Sequence, residues 1–188
     1  MNRRAFCSYL YSNTLDWLGV NYYQRYRIQF NLSSRSTFFA RQHTKPGILA
    51  GPEGWGEIHP RGLYDTLRVL WRRYRLPMFI TENGIPDETD EHRPSFIVSH
   101  LHELWGAIQR GIPIQGYYFW SLVDNFEWTE GYDPRFRFGL IGVDFETQER
   151  HIRQSGRLYG AICRYGGLRR EVVEQYTPTL VPQVFPST

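Results

Sequence analysis

An α/β fold built on a parallel sheet is predicted for this chain, and three observations predict it. Short apolar runs alternate with longer stretches whose apolar residues recur at helical spacing. The run Met78-Phe79-Ile80 is led in by Pro77 and ended by Gly84, with no polar alternation inside it. Such a run reads as a strand buried on both faces, as inside a parallel sheet. Along the chain the order is strand-helix, strand-helix, strand-extended piece-helix, which is a βα repeat. No linker and no low-complexity segment interrupts it, so residues 1–188 read as a single domain.

Leu15 to Tyr23 reads as the first strand, with Trp17, Leu18 and Val20 at its apolar centre. Asn21, Tyr22 and Tyr23 lie at its carboxyl end, where Tyr23 closes the strand as a half-buried aromatic on the plainest reading. Residues 24 to 60 hold no long periodic segment. Lys45-Pro-Gly, Gly51-Pro and Gly54-Trp-Gly56 punctuate them, as in a long βα loop rimming a cleft. A helix is predicted to start just after Pro60, with Leu63, Leu67, Leu70, Trp71 and Tyr74 as one apolar stripe. Arg68, Arg72, Arg73 and Arg75 cover much of the rest.

After the Pro77 strand, Asn83 to Arg93 form a polar, acidic loop. Pro94 suits the first turn of a second helix, with Ile97, Leu101, Leu104, Trp105 and Ile108 as its stripe and Gly111 as its end. His100 and His102 are two apart and point to different sides. A metal pair on one helical face needs a spacing of three or four, so no metal site is expected there. Ile112 to Leu122 reads as the third strand and Leu140 to Phe145 as a further extended piece. Ser155 to Tyr165 reads as a final helix with Ser155 as its cap and Gly166-Gly167 as its stop. Residues 1–14 and 176–188 are expected to be loosely ordered, the tail extended through Pro178, Pro182 and Pro186.

Composition narrows the function classes. The chain is 41% hydrophobic and 22% charged, as for a soluble globular protein. The 16% aromatic content fits either a site that presents aromatic faces to sugar rings or an aromatic-rich core, and composition does not separate the two. Net charge is +3, and Arg72-Arg73 and Arg169-Arg170 are short clusters rather than basic tracts, so no nucleic-acid partner is expected. Cys7 and Cys163 form no CxxC pair. The start lacks the apolar run of roughly 7–15 residues of a signal peptide. No run approaches the ~20 residues of a membrane span, so no membrane partner is expected. The expected compartment is cytoplasmic.

Glu82 sits at the carboxyl end of the buried Met78-Phe79-Ile80 strand. In barrels of parallel strands that end is where chemistry is done, and a carboxylate fixed there can serve as a nucleophile. A strand-end Glu facing solvent is the bland alternative for Glu82 alone. Further motifs decide between them. Pro77-Met-Phe-Ile-Thr-Glu-Asn-Gly84 and Gly116-Tyr-Tyr-Phe-Trp-Ser-Leu-Val-Asp-Asn-Phe-Glu-Trp128, with Gly19-Val-Asn-Tyr-Tyr23 and Gly54-Trp-Gly-Glu-Ile-His-Pro-Arg-Gly-Leu-Tyr64, resemble the family 1 glycoside hydrolases, the β-glucosidases and their relatives.

That resemblance runs from about Leu15 to Leu168 and covers only the last three barrel strands of the family. It implies a partial (β/α)8 TIM barrel, approximately the last three βα units. It assigns Glu82 as catalytic nucleophile of a retaining β-glucosidase and Tyr23 as the phenol that hydrogen-bonds to it. A phenol donor holds a carboxylate in its ionised form. The resemblance further implies Trp120 as a platform under the sugar, often with a cis Trp-Ser peptide, here Trp120-Ser121. Glu127 and Trp128 are implied to contact sugar hydroxyls, and Asn21 joins this substrate-binding set. Gly131-Tyr-Asp-Pro-Arg-Phe-Arg-Phe-Gly139 is two residues longer than the family pattern, so Phe136 and Phe138 compete for the cleft edge. Phe138 keeps the local Arg-Phe-Gly motif and is preferred. Pro86 stands where the family often has a small residue.

Retaining hydrolysis needs a second carboxyl group about 5–5.5 Å from the first. In the family it belongs to an Asn-Glu-Pro motif, which this sequence does not contain. Glu127 is implied to lie on the far side of the sugar from the leaving group, so it does not replace that acid. The expectation is therefore the nucleophile half of a site, inactive alone, with no cofactor. Expected partners are a β-linked glycoside or monosaccharide, a complementary amino-terminal half chain, or other copies through open sheet edges. The alternative is a non-catalytic carbohydrate-binding or protein-interaction module derived from the same barrel.

Overall fold

The structure is a computed structural model that describes residues 14–52 and 55–186. The expectation of loose order at residues 1–14 lies almost wholly outside the described residues, as do Thr188 and Ser187. In chain order the elements are β1 (Leu18–Asn21), β2 (Arg27–Phe30), β3 (Ala40–His43), α1 (Pro60–Tyr74), β4 (Met78–Asn83), α2 (Arg93–Gln109), β5 (Ile114–Phe119), β6 (Ile141–Val143), β7 (Arg150–Ile152), α3 (Gln154–Tyr165), α4 (Arg170–Tyr176) and α5 (Val181–Val184).

β1, β4 and β5 form a parallel sheet in that spatial order, joined by α1 and α2. This is the predicted βα repeat. No closed barrel forms among the described residues, as three strands cannot close a ring of eight. One face of the sheet, through Val20, Met78 and Ile80, packs against Leu63 and Leu67 of α1 and Leu104 of α2. The second apolar cluster joins Ile97 of α2 to Phe119, Leu158 of α3 and Val173 of α4. Pro60 occupies the first turn of α1, where its missing N–H costs nothing.

The other sheet face carries Trp17, Phe79 and Tyr118. Trp17 meets Phe79 edge-on at 5.1 Å, yet Trp17 is 49% and Tyr118 59% exposed. β1 and β5 pair with no further strand on their outer sides among the described residues. Open edges and a bare apolar face favour association with other chains. The expected result is concentration-dependent self-association in sedimentation velocity. A sharp monomer at high protein concentration would contradict it.

Four local expectations differ from the structure. The loop of residues 24–60 contains the β2–β3 hairpin, which has no apolar periodicity because both its faces are largely exposed. In α2, Trp105 and Ile108 are 57% and 44% exposed. The buried face runs instead through Ile97, His100, Leu104 and Ala107, a rotation that keeps Trp105 outside. Ser155 is not the cap of α3, which starts at Gln154. Its backbone N–H donates to Asp90 Oδ2 at 2.8 Å, so a distant carboxylate serves the helix N-terminus. The tail is not extended either. Pro178 and Pro182 stand in the first turns of a 3-10 turn and of α5, where proline is tolerated, and Leu180, Val184 and Phe185 pack on the second cluster. Gly111 and Gly166 end their helices at φ 75° and 67°, as the sequence predicts.

His100 is fully buried and donates its Nδ1–H to the Phe96 carbonyl at 2.8 Å. Burial pushes its pKa down to about 4. The folded state therefore binds this proton less readily than the unfolded chain. Its contribution to stability is full above the ordinary value near 6.5 and is lost as pH falls toward 4. Urea midpoints should fall across that window, and His100→Phe should flatten the fall. An unchanged pH profile in the variant would contradict the assignment.

Candidate active site

Because the sheet is parallel, the carboxyl ends of its strands open at one end of the molecule. Asn21 pairs with Glu82 in register, and Asn83 with Phe119. The Tyr22 N–H donates to the Glu82 carbonyl at 2.9 Å, and the Trp120 N–H to the Asn83 carbonyl at 3.0 Å. Three strand ends are thus stitched side by side, β1 delivering Asn21 and Tyr23, β4 Glu82 and β5 Trp120.

Tyr23 Oη donates to Glu82 Oε2 at 2.5 Å. Burial raises the phenol's pKa, and the hydrogen bond to Glu82 and the charges of Glu82 and Glu127 raise it further. Tyr23 thus keeps its proton and remains a donor. Its ring is held edge-on by Trp55 at 6.0 Å and Phe138 at 6.1 Å. Phe138 is only 1% exposed, so here it touches Tyr23 and Trp55 (5.4 Å) rather than the open side. Phe136 is also buried, at 9%. Asn21 is exposed, and its Oδ1 accepts from Thr81 Oγ1 at 2.6 Å.

The segment after β5 makes the other wall. The Trp120-Ser121 peptide is cis, as the resemblance implies. Asp124 fixes the loop. It accepts from both Nη atoms of Arg153 at 2.8 Å and from the Gly139 N–H at 2.8 Å, all buried. Beyond it Glu127 and Gly131 close a tight turn, the Glu127 N–H donating to the Gly131 carbonyl at 2.8 Å. Trp128 stands out from this turn, 82% exposed. Burial raises the Glu127 pKa, the Trp120 indole N–H opposes that by donating to the carboxylate, and the Glu82 and Glu130 charges raise it again. Glu127 Oε2 is buried and has no hydrogen-bond partner among the described residues. It is an acceptor ready for a hydroxyl. Tyr23, Glu82, Glu127 and Trp120 therefore form one electrostatically coupled group, with Trp128 on the rim.

Several residues that matter to this geometry were not singled out by sequence reasoning. Buried Asn83 donates to the Tyr22 carbonyl at 2.5 Å and accepts from Tyr117 Oη at 2.8 Å, tying β1, β4 and β5 together beneath Glu82. The Asn of Thr-Glu-Asn-Gly was the available signal. Glu57, 1% exposed, accepts from Arg25 Nη2 at 2.6 Å, Arg27 Nε at 2.8 Å and the Lys45 N–H at 2.8 Å. The Lys45 N–H and the two guanidinium groups outweigh burial and hold its pKa down to about 2. No spacing rule in the sequence joins residues so far apart. Among the described residues no group of His, Cys, Asp or Glu could hold a metal ion, and no helix is long and apolar enough to cross a membrane.

Comparison with known proteins gives consistent matches. The sequence profile described as Glycosyl hydrolase family 1 matches residues 7–168. A beta-galactosidase of Saccharolobus solfataricus is 38% identical over 165 residues, covering 84% of this chain and 33% of that protein. Beta-glucosidase A of Thermotoga maritima is 36% identical over 166 residues, covering 82% of this chain and 35% of that protein. Among solved structures, a beta-glycosidase from Pyrococcus horikoshii superimposes with a TM-score of 0.74 at 37% identity, covering 86% of this chain and 37% of that one. The family 1 b-glucosidase from Thermotoga maritima gives 0.73 at 34% identity, covering 83% and 36%. The chain thus spans about a third of the length of the relatives it matches.

Proposed function

Because the chain belongs to glycosyl hydrolase family 1, we propose that it supplies the nucleophile-bearing part of a retaining β-glycosidase. The observation that supports this reading is the Tyr23 phenol donating to Glu82 at 2.5 Å beside the coupled carboxyl group of Glu127. Glu82 attacks the anomeric carbon and its oxygen forms a glycosyl ester as the aglycone leaves. Tyr23 holds the carboxylate in line for that attack. A second carboxyl group, from outside this chain's three βα units, protonates the leaving oxygen and then takes a proton from the water that releases the sugar. Glu127 and Trp128 accept from and donate to sugar hydroxyls, Trp120 lies under the ring, Asn21 edges the subsite, and Phe138 backs Tyr23. The substrate is a β-linked glucoside or galactoside, the two sugars named for the relatives. The partner is a polypeptide carrying the remaining barrel strands.

Ground-state binding rests on stacking and hydroxyl contacts, whereas the nucleophile acts mainly in the transition state. Calorimetric titration of the chain with glucose should therefore show Trp120→Ala, Glu127→Gln and Trp128→Ala weakening affinity more than Glu82→Gln. Glucose binding that ignores Trp120→Ala would sink the assigned subsite.

A further inference from the structure

Residues 17–52 contain neither Asp nor Glu, yet the span carries Arg25, Arg27, Arg35, Arg41 and Lys45. Glu57 arrives from downstream and neutralises only Arg25 and Arg27. Among the described residues Arg35, Arg41 and the Lys45 ammonium face no carboxylate partner. The hairpin register sets Arg41 opposite Gln29 and His43 opposite Arg27, so Arg41 and His43 share one face. The hairpin also presents bare aromatic surface. Phe30 is 71% and Phe38 94% exposed. Phe38 and Phe39 are held in the left-handed region at φ 53° and 62°, which bulky residues seldom adopt and which recurs at ligand-binding loops.

The base of this hairpin is tied to the site. The hairpin starts four residues after Tyr23, and Gln24 accepts from the Gly56 N–H. Gly56 follows Trp55, whose ring packs on Tyr23. We propose that the β2–β3 hairpin is an outer subsite for β-glycosides whose aglycone carries carboxylate or sulfate groups. Arg35 and Arg41 offer guanidinium forks that match such oxyanions. The exposed phenylalanines offer flat faces to the apolar sides of sugar rings. Placement of the subsite on the aglycone side rests on the glycosidase reading above, but the charge pattern does not. Among anionic ligands a glycan is favoured over nucleic acid because the cations are few and their hairpin begins four residues after Tyr23 of the proposed sugar site.

The test is calorimetric titration of the full 188-residue chain with cellotriose, with cellotriose oxidised to the uronate, and with an oligothymidylate. At about 20 mM salt the uronate should bind about tenfold tighter than the neutral trisaccharide. That preference should vanish above about 0.5 M salt, where exposed charges are screened. It should also vanish in the Arg35→Gln/Arg41→Gln double variant, with circular dichroism unchanged and neutral affinity kept. Equal affinity for both sugars, or a preference that survives the double variant, overturns the hairpin assignment and leaves the glycosidase reading intact. Uronate binding that needs the two arginines, without any neutral binding, supports the hairpin and counts against the inner subsite. Oligothymidylate binding as tight as the uronate assigns the hairpin to nucleic acid and overturns the proposal, and so does binding of no ligand at all.

Discussion

Purified alone, the chain is expected to leave ordinary β-glucosides intact, and addition of a polypeptide carrying the remaining family strands is expected to restore turnover through Glu82. General acid help is worth about 10²–10⁴-fold, and no carboxyl group of the described site faces a leaving aglycone in the proposed arrangement. An open half-site also admits water and loses positioning, together worth on the order of several kcal/mol of barrier. An aryl β-glucoside with a good leaving group needs little acid help and is the fairest substrate for residual activity. In the mixture, Glu82→Gln should lower kcat by at least about 10³-fold, because an amide cannot form the glycosyl ester. Tyr23→Phe should cost less, roughly the 10- to 100-fold of one charge-assisted hydrogen bond of about 1.5–3 kcal/mol. Aryl-group release, followed with each chain alone and with both, measures all of these. Brisk hydrolysis by the lone chain that survives Glu82→Gln would place the chemistry in other residues.

The second large effect is on stability. Arg153 and Asp124 form a buried ion pair with side chains 5% and 1% exposed, joining the N-terminus of α3 to the loop before Glu127. Arg153→Ala leaves the Asp124 charge buried and uncompensated, which costs about 3–5 kcal/mol. In a chain of this size 1 kcal/mol corresponds to roughly 2–4 °C. The melting temperature should therefore fall by roughly 6–20 °C. The exposed pair Arg68–Asp65, at 3.7 Å with both side chains about half exposed, is the control. Arg68→Ala should cost under about 1 kcal/mol. Similar thermal shifts for the two variants would mean that the Arg153 pair does not anchor the loop.

The strand-helix order was legible because it rests on local pattern. Met78, Ile80, Leu63, Leu67 and Ile97 all fall where their apolar periods predict. The candidate site residues Glu82, Tyr23, Trp120 and Glu127 were singled out through motifs; the shared polarity of β1, β4 and β5 brings the first three to one end of the sheet, and the turn after β5 carries Glu127. What stayed hidden was set by contacts between distant residues. Asp90 capping α3, Glu57 gathering Arg25 and Arg27, and Asp124 holding Arg153 leave no periodic trace. The β2–β3 hairpin was missed because a strand exposed on both faces needs no apolar alternation. The outward turn of Trp105 was missed because helical spacing gives a stripe but not which edge of it a neighbour covers.

The most direct test of the central claim is covalent. The two complementary chains are mixed with an activated β-glycosyl fluoride whose 2-hydroxyl is replaced by fluorine, a change that slows release of the glycosyl ester. Digestion and mass spectrometry then locate the sugar. The expected result is one glycosyl group on the peptide containing Glu82, absent in Glu82→Gln and absent without the complementary chain. Turnover of the substrate with the label on another residue, or with no label on this chain, would contradict the assignment of Glu82 as nucleophile.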